Sequence, residues 1–217
     1  MNTHKGHDSF KGKKILVATT NIGKIVELKA MLGLDAQWLD LSYYPEIEEI
    51  EEDGHTFIEN ACKKAIGYAR ATGQWTIADD SGLQVDALGG EPGVKSARYS
   101  GDKTINEDGS LIDHRNIAKV LELLEDIPQE KRTARFFCSL ALASPEEVLI
   151  ETEGTLEGLI TKKEIGNNGF GYDPIFFVPP LNKTVAQLTS EEKNAISHRG
   201  NAIRKLKPML EKLLKNS

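Results

Sequence analysis

Hydrophobic positions along the chain switch between a period of two and a period near 3.6. Residues 14–20, KILVATT, form a short apolar run that predicts a buried strand. Asn21-Ile22-Gly23-Lys24 then opens an amphipathic helix with the stripe Ile25, Leu28, Met31 and Leu32, ended by Gly33. Residues 38–41 predict a second strand. Thr56 followed by Glu59 has capping-box spacing and starts a helix to about residue 71. Phe57, Ala61, Ala65, Tyr68 and Ala69 form its apolar side, and Gly73 stops it. Residues 75–79 predict a strand, LGGEPG at 88–93 a turn, and 112–124 a helix after the polar loop GDKTINEDGS. Residues 132–144 alternate cleanly, with Ala134, Phe136, Cys138, Leu140 and Leu142 on one face. Residues 148–153 and 155–160, parted by Gly154, predict a hairpin with that strand, and 174–178 a further strand. Ser197 is expected to cap a final helix with Ala202, Leu206, Leu210 and Leu213 inward, kinked or interrupted at Pro208. The order is βα early and β-hairpin late, so the class is α/β with a mixed sheet. Nothing marks a repeat or a linker. The expected organisation is a flexible tail, 1–13, and one domain, 14–217.

Composition narrows the picture. The chain is 39% hydrophobic and 28% charged, enough for a soluble domain with a proper core. A net charge of -6 argues against nucleic acid or an anionic membrane as partner, while leaving room for a local basic pocket. Cys62 and Cys138 each lie in an apolar pattern and read as reduced thiols of a cytosolic protein, not a disulfide frame or metal site. The start, MNTHKGHDSFKGKK, lacks a secretory apolar region, and no run of 18 or more apolar residues predicts a membrane span.

Several stretches carry candidate chemistry. Thr19, Thr20, Asn21 and Lys24 supply donors at a strand-to-helix turn, where free backbone N–H groups suit a phosphate. The spacing is not GxxxxGK, and an ordinary capped helix start fits equally well. GGEPGVKS, 89–96, has the wrong spacing for a phosphate loop and reads as a turn. Between Glu46 and Asp53 stand six carboxylates, most of them a solvated face. One or two of Glu51, Glu52 and Asp53 could meet the aspartates of the next strand around a hard cation. In ADDSG, 78–82, strand alternation puts Thr76, Ala78 and Asp80 on one face and Trp75, Ile77 and Asp79 on the other. Asp80 is expected to face the site and Asp79 to be secondary, with Ser81-Gly82 turning the chain away. Asp80-Ser81-Gly82 also matches the aspartic-protease triplet, a chance match in a chain with this many helices. GNNGFGYDP, 166–174, offers a backbone that approaches a ligand closely, with Phe170 or Tyr172 to stack on a flat ring. Lys193, His198 and Arg199 gather cations near a helix start and suit an anionic or carbonyl-bearing ligand.

Taken in order, ATTNIGK, EEDGHTFIENACKKA, ADDSGLQVDALGGEPGVKSARYSG, GNNGFGYDPIFFVP and EEKNAISHRGNA resemble the noncanonical purine NTP pyrophosphatase family, the inosine/xanthosine triphosphate house-cleaning enzymes. The resemblance runs from about Lys14 to the C-terminus. It implies an elongated mixed sheet with flanking helices, two lobes around a nucleotide cleft, and a homodimer in the cytoplasm. It also implies Mg²⁺-dependent hydrolysis of dITP, ITP and XTP to the monophosphate and pyrophosphate. On the matching positions, Thr19, Thr20, Asn21, Ile22, Gly23 and Lys24 would hold phosphates, helped by Lys64. Glu52 and Asp80 would bind the metal, Asp80 would also be the general base, and Ser81 would contact substrate. Phe170, Gly171, Tyr172, Asp173, Lys193, His198 and Arg199 would grip the base, whose 6-keto acceptor suits donors such as His198 and Arg199. Three departures stand out: the tail, a segment at 102–115 longer than the family's usual connection, and Thr20 where glycine or serine is frequent. A Maf-like pyrophosphatase with another base preference and a non-catalytic nucleotide-binding regulator are the competing readings.

Overall fold

The computed structural model describes residues 14–33, 36–101 and 109–216. The expected tail, 1–13, lies outside them, as do residues 102–108 of the polar loop. The strands are β1 (Lys14–Val17), β2 (Gln37–Asp40), β3 (Trp75–Val85), β4 (Thr133–Ala143), β5 (Val148–Ile160), β6 (Phe176–Val178) and β7 (Lys183–Thr184). They form a seven-stranded mixed sheet in the order β2-β1-β3-β4-β5-β6-β7. The helices are α1 (Ile22–Leu32), α2 (Phe57–Thr72), α3 (Gly109–Leu123), α4 (Ser190–Ile196) and α5 (His198–Asn216). The chain divides into two compact units.

The first unit comprises Met1–Asp80, Ser139–Glu153 and Ala202–Ser217. Here β1 runs parallel to both β2 and β3, with Leu16 opposite Leu39 on one side and Thr76 on the other. The crossovers that parallel pairing requires are α1 and α2. Asn21 caps α1 by accepting the Lys24 N–H at 3.2 Å, and Gly33 ends it in the left-handed conformation. Thr56 and Glu59 form the predicted capping box of α2, with Gly73 as the left-handed stop. Leu16, Ala18, Leu39, Ala61, Ala65, Tyr68, Ala69, Ala78, Ala141 and Ala143 make the core. The alanines let α2 lie close on the sheet. Residues of α5 from Ala202 onward add Ile203, Leu206, Leu210 and Leu214 as buried side chains.

The second unit comprises Ser81–Cys138 and Gly154–Asn201. Here β5, β6 and β7 pair antiparallel. The core joins Leu83 and Val85 of β3, Ala134 and Phe136 of β4, Ile117 and Val120 of α3, and Tyr172, Ile175 and Phe176. Buried Arg132 stands at the end of α3, where its guanidinium donates to the carbonyls of Leu124, Ile127 and Thr161. The guanidinium thus caps the ends of α3 and β5, and the Leu124 carbonyl also accepts the Ile127 N–H at 2.9 Å.

Several expected boundaries move. β3 does not stop at residue 79 but continues for 11 residues through Asp79, Asp80, Ser81 and Gly82. Gly82 is therefore not a turn residue. A Cβ there would stand 2.3 Å from Ser96 Oγ and 2.7 Å from the Gly93 carbonyl oxygen, so close approach selects glycine. β5 likewise runs unbroken through Gly154 for 13 residues, in place of two shorter strands. α3 starts at Gly109, so the second half of the segment 102–115 is helix rather than surface loop. Residues 173–175 form a 3-10 turn ahead of β6. Thr189 caps the short helix α4, unforeseen in the sequence, and Ser197 sits between α4 and α5, its Oγ accepting the Gly200 N–H at 3.0 Å. α5 passes through Pro208 without interruption, and Leu214, rather than Leu213, occupies the buried position near its end.

Candidate active site

Two groups of side chains stand out, one in each unit. In the first unit, β1 ends at Val17 and the chain turns through Thr19, Thr20 and Asn21 into α1. Thr19 Oγ1 accepts the Asn21 N–H at 3.1 Å. Ile22 points its side chain to solvent, and its backbone N–H lies in the first turn of α1. Gly23 and Lys24 complete the first turn, and Lys24 Nζ pairs with the buried Asp79 carboxylate at 3.0 Å.

Asn60 and Lys64, one turn apart on α2, interrupt its apolar side with two buried polar groups. Lys64 Nζ lies 3.0 Å from Glu52 Oε2 and donates to the Asp79 carbonyl oxygen at 2.6 Å. Burial works against the Lys64 ammonium, but the charges of Asp79, Glu52 and Asp80 outweigh it and hold its pKa above the ordinary value. Asn60 uses both ends of its amide. Oδ1 accepts the Gly54 N–H of the acidic loop at 2.8 Å, and Nδ2 donates to Asp80 Oδ2 at 2.9 Å. Burial raises the Asp80 pKa above the ordinary carboxylate value; Lys64 and the Asn60 hydrogen bond oppose this, and Glu52 adds to it. The two aspartates thus have different partners, as strand alternation requires.

Among the described residues, no group of three or more His, Cys, Asp or Glu side chains forms a ready metal cage. The Glu52 charge nevertheless acts on Asp80, and a cation, the Lys64 ammonium, already sits against Glu52 and the Asp79 carbonyl. These are hard oxygen donors. One or two carboxylates completed by water and phosphate are the usual surroundings of Mg²⁺.

In the second unit, Ser81 Oγ accepts a hydrogen bond from Arg199 Nη2 at 3.0 Å. His198 stacks on Phe136, ring centroids 4.9 Å apart, and Phe136 stacks in turn on Phe176. Lys193 on α4 pairs with Asp173 at 2.7 Å and stands 4.4 Å over the Phe170 ring, with the Arg199 guanidinium 5.9 Å from the same ring. Two of the glycines in 166–171 have steric causes. A Cβ at Gly169 would meet Asp173 Oδ2 at 2.0 Å, and one at Gly166 would meet the Ala186 carbonyl oxygen at 2.5 Å. Tyr172 is no stacking surface. It is buried in the core with its hydroxyl donating to the Ser96 carbonyl oxygen at 2.8 Å, which leaves Phe170 as the part-exposed ring.

The structure therefore gathers Lys24, Glu52, Lys64 and Asp80 in one unit, and Ser81, Phe170, Asp173, Lys193, His198 and Arg199 in the other. Sequence reasoning passed over Asn60, although an amide in the stripe Phe57-Asn60-Ala61-Lys64-Ala65 was a visible signal. It also ranked Asp79 second without its partner, Lys24.

The first unit thus sets buried carboxylates against lysines near a helix start, and the second sets cations over an aromatic ring, in an α/β protein. The chain belongs to the Ham1 family, whose model matches residues 15–209. It is 50% identical over 200 residues to the dITP/XTP pyrophosphatase of Halalkalibacterium halodurans, covering 92% of this chain and 100% of that protein. It is also 50% identical over 202 residues to the dITP/XTP pyrophosphatase of Bacillus subtilis, covering 92% and 98%. The solved Ham1 protein of Staphylococcus aureus superposes with a TM-score of 0.79 at 44% identity, over 92% of this chain and 98% of that one.

Proposed function

We propose that this chain hydrolyses noncanonical purine nucleoside triphosphates, dITP, ITP and XTP, to the monophosphate and pyrophosphate, with Mg²⁺, as a cytoplasmic homodimer. The observation that carries the reading is the set Lys24–Asp79, Lys64–Glu52 and Asn60–Asp80, with Asp79, Asp80, Asn60 and Lys64 buried, in a chain half identical to enzymes named dITP/XTP pyrophosphatase. A pure nucleotide binder has no need of buried carboxylates beside the phosphates.

The backbone N–H groups at the start of α1, with Lys24 and Lys64, offset the charge of the triphosphate. Asp80, made more basic by burial and aimed by the Asn60 amide, takes a proton from the attacking water. The water oxygen bonds to the α-phosphorus, the bond from that phosphorus to the bridging oxygen breaks, and pyrophosphate leaves with the electron pair. Glu52 and Asp80 would hold Mg²⁺, which when bound neutralises charge on the phosphate oxygens. Arg199 and His198 supply donors for a 6-keto purine, and Phe170 supplies a ring for its face. A site built around a hydrogen-bond acceptor rejects an analogue lacking it by as much as ~10⁴-fold.

Pyrophosphate release measured with dITP, XTP, dATP, dGTP and dTTP, with and without Mg²⁺, tests the reading. The expected result is metal-dependent release from dITP and XTP. Preference for dTTP would favour the Maf-like alternative, and no release from any substrate a regulator.

A further inference from the structure

The segment 166–173, which carries Phe170, is held from outside by the start of α3. Asp113, in the second turn of that helix, accepts the Gly171 N–H on Oδ2 at 2.7 Å. Its neighbour His114 lies 3.2 Å from the Glu164 carboxylate, so the helix also touches the chain just ahead of the segment. Inside the segment, the Phe170 N–H donates to Asp173 Oδ2 at 3.0 Å, the oxygen that also takes Lys193. Gly169 and Gly171, on either side of Phe170, have φ of +81° and +59°. Backbone of this kind has little stiffness of its own. Two consecutive amides, 170 and 171, end on carboxylates. One carboxylate belongs to the segment itself; the other, Asp113, is fixed on a helix whose Ile117 and Val120 are in the core.

We infer that Asp113 is a positioning residue for substrate recognition, setting the Phe170 ring for the purine through the Gly171 N–H. This rests on the pyrophosphatase reading for the identity of the ligand, but not for the contact. Holding an aromatic surface in place before the ligand arrives lowers the ordering cost of binding. Loss of the anchor weakens capture of the base more than it slows chemistry at the phosphates.

The test uses the full chain with Asp113→Ala, Asp113→Ser and Asp113→Asn. Serine is too short to reach Gly171 and gives a second loss of contact should the alanine variant fold poorly. Asparagine keeps an acceptor oxygen at the same length. For the alanine and serine variants, KM for dITP is expected to rise about tenfold with kcat within about twofold, the size of one lost hydrogen bond to a charged acceptor. Amide exchange of a peptide spanning 166–175 should quicken in both, and Asp113→Asn should restore both measurements. Unchanged KM and exchange in the loss variants would overturn the inference, as would an asparagine variant as impaired as alanine. Wild-type protein that releases no pyrophosphate from dITP would sink the functional reading alone, because the exchange measurement stands without it.

Discussion

At the scale of single residues, Asp80 shows a cost accepted for chemistry. Its pKa in the folded protein lies above the ordinary 3.8, with burial the largest cause. The folded state then holds a proton at pH values where the unfolded chain has lost it. Stability therefore falls as pH rises from 3.8 through the folded value. Asp80→Asn is expected to abolish most turnover yet melt higher than wild type at pH 7, with the gap narrowing as pH falls towards 4. Calorimetry beside a pyrophosphate assay checks both, and near-normal turnover would remove Asp80 from the role of base. Gly82→Ala has the opposite signature. Its Cβ must push aside Ser96 Oγ, which accepts the Leu83 N–H at 2.9 Å, and a backbone carbonyl. A loss of about 1–3 kcal/mol is expected in urea unfolding. Asp80 and Lys64 were legible from their motifs. The inward place of Asn60 was legible too, but not its partners, because sequence periodicity reports which side of a helix is inward and not what a polar group on that side will meet.

At the scale of elements, the long periodic pieces were read well and the punctuation was not. The capping box at Thr56, the αL stops at Gly33 and Gly73 and the alternation of β4 all appear as expected, because each is set by neighbours in sequence. Gly82 and Gly154 were taken as breaks, but both lie inside strands, Gly82 for a contact made with Ser96 far along the chain. Helix α4 was missed because seven residues carry too few periods to detect. Arg132 opened the alternating stretch 132–144, but it lies just before β4 and terminates α3 by hydrogen bonds. Arg132→Met keeps the buried stem and removes the donors. The three carbonyls lose the guanidinium, with Leu124 keeping a backbone donor, and a loss of about 2–4 kcal/mol is expected in thermal or urea unfolding. A variant within about 0.5 kcal/mol of wild type would show that water replaces the guanidinium.

At the scale of the whole molecule, each unit is assembled from separated stretches of chain, three for the first and two for the second. Composition announced a core of adequate size, but no local signal could announce this interleaving. It follows from β3, β4 and β5 each contributing residues to both units. The consequence lies in the order of synthesis. Residues 81–138 and 154–201 are all available once residue 201 has left the ribosome, so the second unit can fold on the nascent chain. The first unit begins earliest and finishes last, since Ile203, Leu206, Leu210 and Leu214 belong to its buried set. Nascent chains arrested with residue 201 just exposed should resist protease across the second unit and be cut within the first. Resistance there should appear only after the residues of α5 emerge. Until then the half-made first unit lacks the buried side chains of α5, a target for chaperones during the last moments of translation.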